Sequence, residues 1–567
     1  MEPPLPPPPD APPPPDLPRK GHLDAYFEKP ARLRTWSGLE VKPVYRPEDV
    51  TGAYQERLGD PGHFPYARGI HADMYRGKYW TRREVCGYGG PEETNQRMKF
   101  LLTQGASGLN VIFDIPTMTG MDADHPMVEE EVGVQGTSLS TVEDMEALME
   151  GLPLDGISMS IVVTSHAAPV VLAMYLAVAR KRGLPLDRLR GTIQNDPLHH
   201  RFCGYPPAYS PLNLGLKTAV DCLEFCARQM PHWYPINVNA YDLREEGLGA
   251  AEEIGFSFAM ARTYIDRALE RGLAIDELAP RMVFYCSAHI DLLEEVAKFR
   301  AMRRMWARML RDEYGARDPR SWQFKFGVHT AGVSLVPQQP LNNIVRVAYE
   351  ALAAVLGGAQ SLHCCSYDEP ISLPTEQAHQ IAIRTQQILA YETGAGNTAD
   401  PLGGSYFIEA LTDRLETEAR AILSRIAEQG GMFRAIETGW VDQELENAAY
   451  RYQQEVERRE RLIVGSNAFI VPPEQDHEVP AHPRPSATQV RARLDQLKRF
   501  RDLRDAGAVM AGLRRLRDEA GQGERHNLIP CLMDVVGAGA TLGEAVGVMR
   551  EAYGHAYDPA GQIRSVL

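Results

Sequence analysis

This sequence has few cysteines, no long apolar run and no excess of basic residues. Eight cysteines in 567 residues are too few for a disulfide framework, and neither Cys222-x-x-x-Cys226 nor Cys364-Cys365 has the spacing of a zinc site. No apolar run reaches membrane-spanning length, and the proline-rich, acidic N-terminus lacks the pattern of a signal peptide. The formal net charge of −15 does not suggest nucleic-acid binding. We therefore expect a cytoplasmic protein with reduced thiols, no metal site of its own and no membrane or nucleic-acid partner.

The composition is typical of a globular protein, with 44% hydrophobic and 24% charged residues. Proline-rich stretches and changes in periodicity predict the domain boundaries. We divide the chain into a proline-rich tail over 1–22, an extended arm over 23–67, a main domain over 68–400, a helical extension over 401–471, a proline-rich linker over 472–485 and a helical appendage over 486–567.

The stretch 68–117 shows the pattern that the main domain repeats. Gly90 and Pro91 predict the start of a helix and Gly105 predicts its end, and a buried strand over 109–113 follows. Further strands are predicted near 83–87 and over 157–163, 191–194, 236–241, 282–287, 324–329 and 361–366. Helices are predicted between them over 169–182, 250–271, 292–314, 342–356 and 375–393, and beyond them over 407–430, 441–459, 488–520 and 542–553. Eight strands alternating with helices predict an α/β protein, a (β/α)8 TIM barrel with an N-terminal arm and a C-terminal helical region.

Several of the predicted strands have one polar face. Parallel barrel strands are normally apolar on both faces. Small or polar residues here alternate along four strands, at Ser158 and Ser160, Thr192 and Gln194, Asn237 and Asn239, and Ser361 and His363. If this face points inward, the barrel holds a polar tunnel for a guest that supplies hydrogen-bond partners. Alternatively, these residues cap the strand ends or face helices.

Long motifs in one order resemble the large subunit of adenosylcobalamin-dependent acyl-CoA mutases. They are RGxxxxMY from Arg68, WT with an Arg two residues on, FDxPT from Phe113, and the runs 191–196, 279–281, 295–298, 360–363, 368–369 and 400–405. This family includes methylmalonyl-, isobutyryl- and 2-hydroxyisobutyryl-CoA mutases. The resemblance covers residues 40–567 and implies a radical 1,2-rearrangement of an acyl-CoA whose pantetheine arm passes through the barrel.

The resemblance also implies the partners of the chain. Cobalamin domains of this class carry D-x-H-x-x-G, whose His coordinates cobalt, and this sequence has no such run. The cobalt is therefore expected to be held by a separate small subunit, in a heterotetramer of two large and two small subunits. A G-protein chaperone is a further partner that the resemblance suggests.

Family residues carry over to matching positions of this sequence. They are Met74, Lys78, Thr81, Arg83 and Arg281 for CoA, Glu369 for the adenosyl ribose, Gln194 near the thioester and Tyr241 beside the radical. At the phosphate end of CoA, Lys78 stands where Arg is usual, and His71 and Asp73 replace uncharged residues. These changes leave a carrier other than CoA open.

The departures from the family pattern concern the acyl pocket. Val85, Ile112 and Gly204 stand where relatives have larger or polar residues, and Gly204 falls where an Arg binds the methylmalonyl carboxylate. His329 and Cys365 replace a Gln and an Asn close to the adenosyl group. A free carboxylate would have no partner here, so we expect a branched, non-dicarboxylic acyl group.

Asp242 stands where the family has a His that donates to the thioester carbonyl. An ionised Asp cannot donate. Asp242 is therefore either held protonated or faces a donor on the substrate, such as a hydroxyl or an amine, with His329 as a balancing partner. Loss of the His also leaves open a third possibility, a degenerate subunit that binds or assembles without catalysis.

Overall fold

The computed structural model describes residues 34–42, 44–50, 52–203, 209–479 and 481–567. The predicted tail, the first part of the arm and Gly204 lie outside the described residues. The strands of the described part are β1 (Thr81–Arg83), β2 (Val85–Cys86), β3 (Gly108–Ile112), β4 (Ser158–Val162), β5 (Arg190–Gln194), β6 (Trp233–Tyr234), β7 (Ile236–Asn239), β8 (Met282–Ala288), β9 (Phe326–Thr330) and β10 (Ser361–His363).

These strands form two five-stranded sheets in which every pairing is parallel. The strand orders are β1-β10-β9-β8-β7 and β2-β3-β4-β5-β6. Only Glu84 separates β1 from β2, and only Pro235 separates β6 from β7. The chain thus passes directly from one sheet into the other at two places. The fold is a mixed α/β architecture built on parallel sheets.

Helices follow most of the strands and continue after β10. They are α1 (Tyr54–Arg57), α2 (Pro91–Thr103), α3 (Ile115–Met118), α4 (Val142–Leu148), α5 (Ala168–Lys181), α6 (Leu212–Gln229), α7 (Tyr241–Glu245), α8 (Ala250–Glu270), α9 (Ile275–Leu278), α10 (Leu292–Arg308), α11 (Asn342–Leu356), α12 (Glu376–Tyr391), α13 (Tyr406–Glu428), α14 (Met432–Glu437), α15 (Trp440–Glu457), α16 (Ala487–Leu503), α17 (Ala506–Ala520), α18 (Ile529–Gly537) and α19 (Leu542–Ala552).

The helix predicted from Gly90 begins where its residues require it. Pro91 takes the first helical position, and the Glu93 carboxylate accepts the Gly90 N–H at 3.0 Å. This contact satisfies one backbone donor that the first turn of a helix leaves unpaired, and the acid also suits the positive end of the helix dipole.

Several predicted boundaries were wrong. The strand predicted over 361–366 ends at His363. The strand predicted over 236–241 ends at Asn239, because Tyr241 opens α7. The helix predicted over 292–314 changes after Arg308 into a π-helical turn, Met309–Glu313. The helix predicted over 488–520 is two helices, since the backbone at residue 504 is extended and the Asp505 carboxylate caps α17 through the Ala508 N–H. Helices α6 and α18, and several shorter ones such as α4 and α14, were not predicted.

The outer faces of the strands are apolar and pack against helices. Leu109, Val111, Met159, Ile161 and Ile193 have no exposed surface and belong to one core cluster with side chains of α2 and α5. Side chains of α17, α18 and α19 join the same cluster. The C-terminal helices are therefore part of the main core, because their apolar faces would otherwise remain in water.

The arm and the C-terminal part also have polar contacts with the central part of the chain. The Trp36 N–H donates to Asp291 Oδ2 at 2.9 Å, and the Leu528 N–H donates to Asp221 Oδ2 at 3.1 Å. Among the described residues, no helix combines the length and the apolarity needed to span a membrane.

Candidate active site

One row of candidate pocket residues lies on the inner face of the sheet β2-β3-β4-β5-β6, the face turned away from the helices. Ile112, Val162 and Gln194 are register partners at the carboxyl ends of β3, β4 and β5. Val85 pairs with Asn110, two residues before Ile112 on the same face. The predicted residues Val85, Ile112 and Gln194 therefore share one surface at the carboxyl ends of neighbouring strands.

The sheet β1-β10-β9-β8-β7 contributes a matching row of polar residues. Arg83, His363, His329 and Ser287 are register partners along β1, β10, β9 and β8. The rings of His329 and His363 lie 4.0 Å apart. Burial, and then His363, lower the pKa of His329 well below its usual value. Burial opposes charge on His363 as well, but the adjacent Glu84 carboxylate outweighs it and raises the pKa of His363.

Tyr241 enters the site from the first turn of α7. Its ring centroid lies 4.3 Å from that of His329, and its hydroxyl accepts the Gly332 N–H at 3.2 Å. Burial raises the pKa of Tyr241 well above its usual value, and the carboxylate of Glu245 adds to that effect. Tyr241 is therefore a neutral aromatic wall of the site.

Asp242 is directed into the site by the end of β7. Asn239 Oδ1 accepts the Asp242 N–H at 3.2 Å, and Asn239 Nδ2 donates to Asp242 Oδ2 at 2.7 Å. The Cys203 thiol donates to the same oxygen at 3.0 Å. Asp242 Oδ2 thus accepts from two side chains, the Asn239 amide and the Cys203 thiol.

His199 is a site residue that the sequence analysis missed. Its Nε2 lies 3.2 Å from Gln194 Nε2 and 3.5 Å from Asp242 Oδ2. Its Nδ1 faces the carbonyl oxygen of Asp196, so Nδ1 carries the proton and Nε2 is the acceptor for the Gln194 amide. Its sequence position, five residues after the last residue of β5, is the signal that would have indicated it.

The three predicted adenosyl residues come together in the structure. Ligand-type atoms of His329, Cys365 and Glu369 all lie within 4.8 Å of one another, and Cys365 Sγ is 3.4 Å from His329 Nε2. Glu369 Oε2 accepts the Ser366 N–H at 3.1 Å. Burial raises the pKa of Glu369, and the adjacent His363 partly offsets that effect.

Arg83, predicted to bind CoA, spans the polar inner face. Its guanidinium donates to the carbonyl oxygens of Leu109 and Ser158 at 2.7 and 2.8 Å, and to the hydroxyls of Ser158 and Ser361 at 2.6 and 3.1 Å. Burial lowers the pKa of Arg83 to about 10. The polar inner face therefore contains the guanidinium of Arg83, which is hydrogen-bonded to Ser158 and Ser361.

The other predicted CoA residues lie toward the amino ends of the strands. Thr81 begins β1, the exposed Lys78 precedes it, and Met74 is buried in the short turn Met74–Arg76. Arg281 directly precedes β8 and donates to the carbonyl oxygen of Pro231. This end of the sheets is opposite to the end that carries Asp242.

Lys325 is a second residue that the sequence analysis missed. It directly precedes β9, and its ammonium donates to the carbonyl oxygen of Pro280 at 2.9 Å. Burial, followed by Arg281 and Arg320, lowers the pKa of Lys325 to about 8. The amino ends of β8 and β9 thus present neighbouring cations to an incoming anion.

Several buried polar atoms on the inner face have no partner within the described protein. They include Asn110 Oδ1, Thr192 Oγ1 and Asn237 Oδ1. Leaving a buried polar atom unpaired costs roughly 1–3 kcal/mol. A bound molecule rich in amide groups would satisfy these atoms, so the face suits such a guest.

The sheets are parallel, and polar and titratable side chains gather at the carboxyl ends of their strands. This arrangement is typical of an α/β enzyme. The methylmalonyl-CoA mutase family profile matches residues 34–555, and the chain belongs to this family, whose members are isomerases. The family predicted from the motifs is thereby confirmed.

Curated relatives agree with this assignment. The large subunit of 2-hydroxyisobutanoyl-CoA mutase from Aquincola tertiaricarbonis is 37% identical over 527 residues, which are 93% of this chain and 93% of that protein. Methylmalonyl-CoA mutases from Rhizobium meliloti and Escherichia coli are each 36% identical, over 92% and 94% of this chain and 72% and 74% of their own lengths.

Proposed function

We propose that this chain is the large, catalytic subunit of an adenosylcobalamin-dependent mutase that rearranges the carbon skeleton of a branched, non-dicarboxylic acyl-CoA. One observation is the main support for this proposal. Residues from separate motifs, namely Gln194, Tyr241, Asp242, His329 and Glu369, gather near the carboxyl ends of parallel strands in a member of the mutase family.

We further propose that the two sheets close into a (β/α)8 barrel over 68–400. The support is the single residue between β1 and β2, and between β6 and β7, which makes each pair one interrupted strand shared by both sheets. Counted in this way, the ten short strands become eight, which is the number that such a barrel needs. The remaining domain boundaries stay predictions.

The polar inner face supports the binding of CoA along the barrel axis. Asn110, Thr192 and Asn237 offer unpaired polar atoms to the amides of a pantetheine arm. Arg281 and Lys325 mark the entrance at the amino ends of the strands, where the phosphates of CoA would meet positive charge. Met74, Lys78, Thr81 and Arg83 remain proposed CoA residues.

The cluster of His329, Cys365 and Glu369 fits an adenosyl group, because its half-buried carboxylate is able to accept from ribose hydroxyls. When bound, adenosylcobalamin supplies the radical chemistry of hydrogen abstraction. Tyr241, packed on His329, walls the site and excludes water. A small subunit with D-x-H-x-x-G would hold the cobalt, in an assembly of two large and two small subunits.

The acyl pocket supports an uncharged, branched group. Val85 and Ile112 present apolar side chains on the inner face, so a carboxylate beside them would be desolvated without a partner from either. The contacts of Asp242 with Asn239 and Cys203 both fall on Oδ2. No contact to Oδ1 is seen among the described residues, and we propose that this atom accepts from a hydroxyl or amino group of the substrate. The role of Gly204 remains a prediction.

The proposal is tested by reconstituting the large subunit with a cobalamin-binding small subunit and adenosylcobalamin. The complex is then offered isobutyryl-, 2-hydroxyisobutyryl- and methylmalonyl-CoA, and the products are separated by mass spectrometry. We expect rearrangement of a branched monocarboxylic thioester and little turnover of methylmalonyl-CoA. Glu369→Gln is expected to abolish turnover while the small subunit still binds. A complex that holds the cofactor but rearranges only methylmalonyl-CoA would refute the substrate assignment.

A further inference from the structure

A group of three ligand-type side chains lies beside the acyl pocket. The Nε2 atom of His199, the Sγ atom of Cys203 and a carboxylate oxygen of Asp242 all lie within 4.8 Å of one another. Cys203 Sγ is 3.0 Å and His199 Nε2 is 3.5 Å from Asp242 Oδ2. The sequence analysis predicted no metal site, because the group joins two residues of one turn to a third residue at the start of α7.

We propose that His199, Cys203 and Asp242 form a binding site for a divalent cation, with Zn²⁺ as the preferred ion. One imidazole nitrogen, one thiolate and one carboxylate are the donor set that Zn²⁺ favours among biological divalent ions. Three protein ligands leave a fourth position open for water or for a carbonyl oxygen, as in catalytic zinc sites.

The two separations that involve Asp242 Oδ2 are close to those around a tetrahedral ion. Zinc–ligand bonds of about 2.0–2.3 Å place the ligand atoms of a tetrahedron roughly 3.3–3.7 Å apart. The separations of 3.0 and 3.5 Å are close to these values. Insertion of the ion would replace the thiol proton that Asp242 now accepts, and the proton would leave to solvent.

The surroundings orient two of the ligands. The proton on His199 Nδ1 is held by the carbonyl oxygen of Asp196, so the lone pair of Nε2 faces the centre of the group. Asn239 Nδ2 holds the Asp242 carboxylate at 2.7 Å. Partners of this kind fix ligand orientation in known metal sites. The Gln194 amide, which now donates to Nε2 at 3.2 Å, would turn away from the ion.

A second group, His329, Cys365 and Glu369, has similar donors but lacks this support. The far ring nitrogen of His329, Nδ1, has no hydrogen-bond partner within the described protein. Moreover, Cys365 is a buried residue, whereas Cys203 is an exposed one. These differences favour the first group, and they make the second a matched control.

The proposal is tested on the tag-free large subunit, stripped with a chelator and without cofactor or thioester, so its outcome is independent of the proposed mutase activity. Zn²⁺ is titrated by calorimetry and by competition with a chromophoric chelator. We expect one bound ion per chain. Cys203→Ser and Asp242→Asn should each weaken binding at least about tenfold, whereas Cys365→Ser should leave it unchanged.

Alkylation of the native chain gives a readout that needs no variant. Cys203 is exposed and the other seven cysteines are buried, so iodoacetamide should modify Cys203 first. Zn²⁺ should protect this residue, as measured by peptide mass spectrometry. The proposal is overturned if Zn²⁺ leaves the alkylation of Cys203 unchanged, which would mean a hydrogen-bonded group only. Equal affinity of wild type, Cys203→Ser and Asp242→Asn, or loss of binding in Cys365→Ser, would also overturn it.

Discussion

Lys298→Met should destabilise the protein strongly, because it removes one of four buried charges behind the active site. The Lys298 ammonium donates to Glu253 Oε2 at 2.6 Å and to the carbonyl oxygen of Ser287 at 2.7 Å, and it also pairs with Glu295. Arg244 pairs with Glu295 at 2.9 Å and with Glu253 at 3.6 Å. None of the four charged side chains is exposed.

The magnitude follows from the charge balance of this group. Two cations and two carboxylates cancel in the native protein, and the substitution leaves two buried carboxylates with one guanidinium. Removing one partner of a buried pair costs about 3–5 kcal/mol of unfolding free energy. Methionine occupies most of the lysine volume, so the loss of packing is small by comparison. Arg244 lies on α7 two residues after Asp242, so the position of α7 depends on the same group.

Equilibrium unfolding in urea, followed by circular dichroism and tryptophan fluorescence, measures the loss. Lys298→Met with Glu253→Gln restores neutrality and should recover about 1–3 kcal/mol. The matched control is Lys498→Met, which removes an exposed pair with Asp502 and should produce no measurable change. A loss of unfolding free energy below about 1 kcal/mol for Lys298→Met would refute the reasoning, since an uncompensated buried charge costs more than that.

Three further predictions follow from the site. Asp242→Asn should cost roughly 1.5–3 kcal/mol of transition-state stabilisation for the true substrate, measured as kcat/KM, and wild-type turnover would show that the charge is not used. The large subunit alone should not bind adenosylcobalamin stoichiometrically, because the sequence lacks D-x-H-x-x-G; tight binding in spectrophotometric titration would contradict this. Burial, with Arg97 and His363, lowers the pKa of His379 to about 3, so between about pH 6.5 and pH 3 the unfolded state takes up a proton that the native state does not. Acidification should therefore reduce stability by up to about 1.4 kcal/mol per pH unit, and His379→Gln, measured by urea unfolding, should show a shallower slope.

Local sequence was sufficient for the elements whose causes are local. Gly90, Pro91 and Gly105 predicted the ends of α2 closely, because capping and backbone freedom act within a few residues. The apolar run over 109–113 predicted β3 in the same way. The long motifs predicted the family, and with it the list of candidate residues, before any distance was known.

The predictions failed where particular side-chain contacts, near or distant in sequence, decide the local structure. The strand was predicted to end at Tyr241, yet Asn239 pairs with Asp242 and α7 starts at Tyr241. The continuous helical pattern over 488–520 hid a break at Arg504, whose side chain forms an ion pair with Glu544 instead. Hydrophobic periodicity does not reveal such pairs, because it reports only which face of an element is apolar.

The sequence by itself determined the family, the alternation of strands and helices and the polar face of the strands. Only the tertiary structure placed His199 beside Gln194 and Asp242, and Cys203 against a carboxylate 39 residues away. The register of the parallel strands decides which side chains share a face, and strand ends from separate motifs meet only when the sheets form. The chemistry of the site therefore depends on distances that no local pattern encodes.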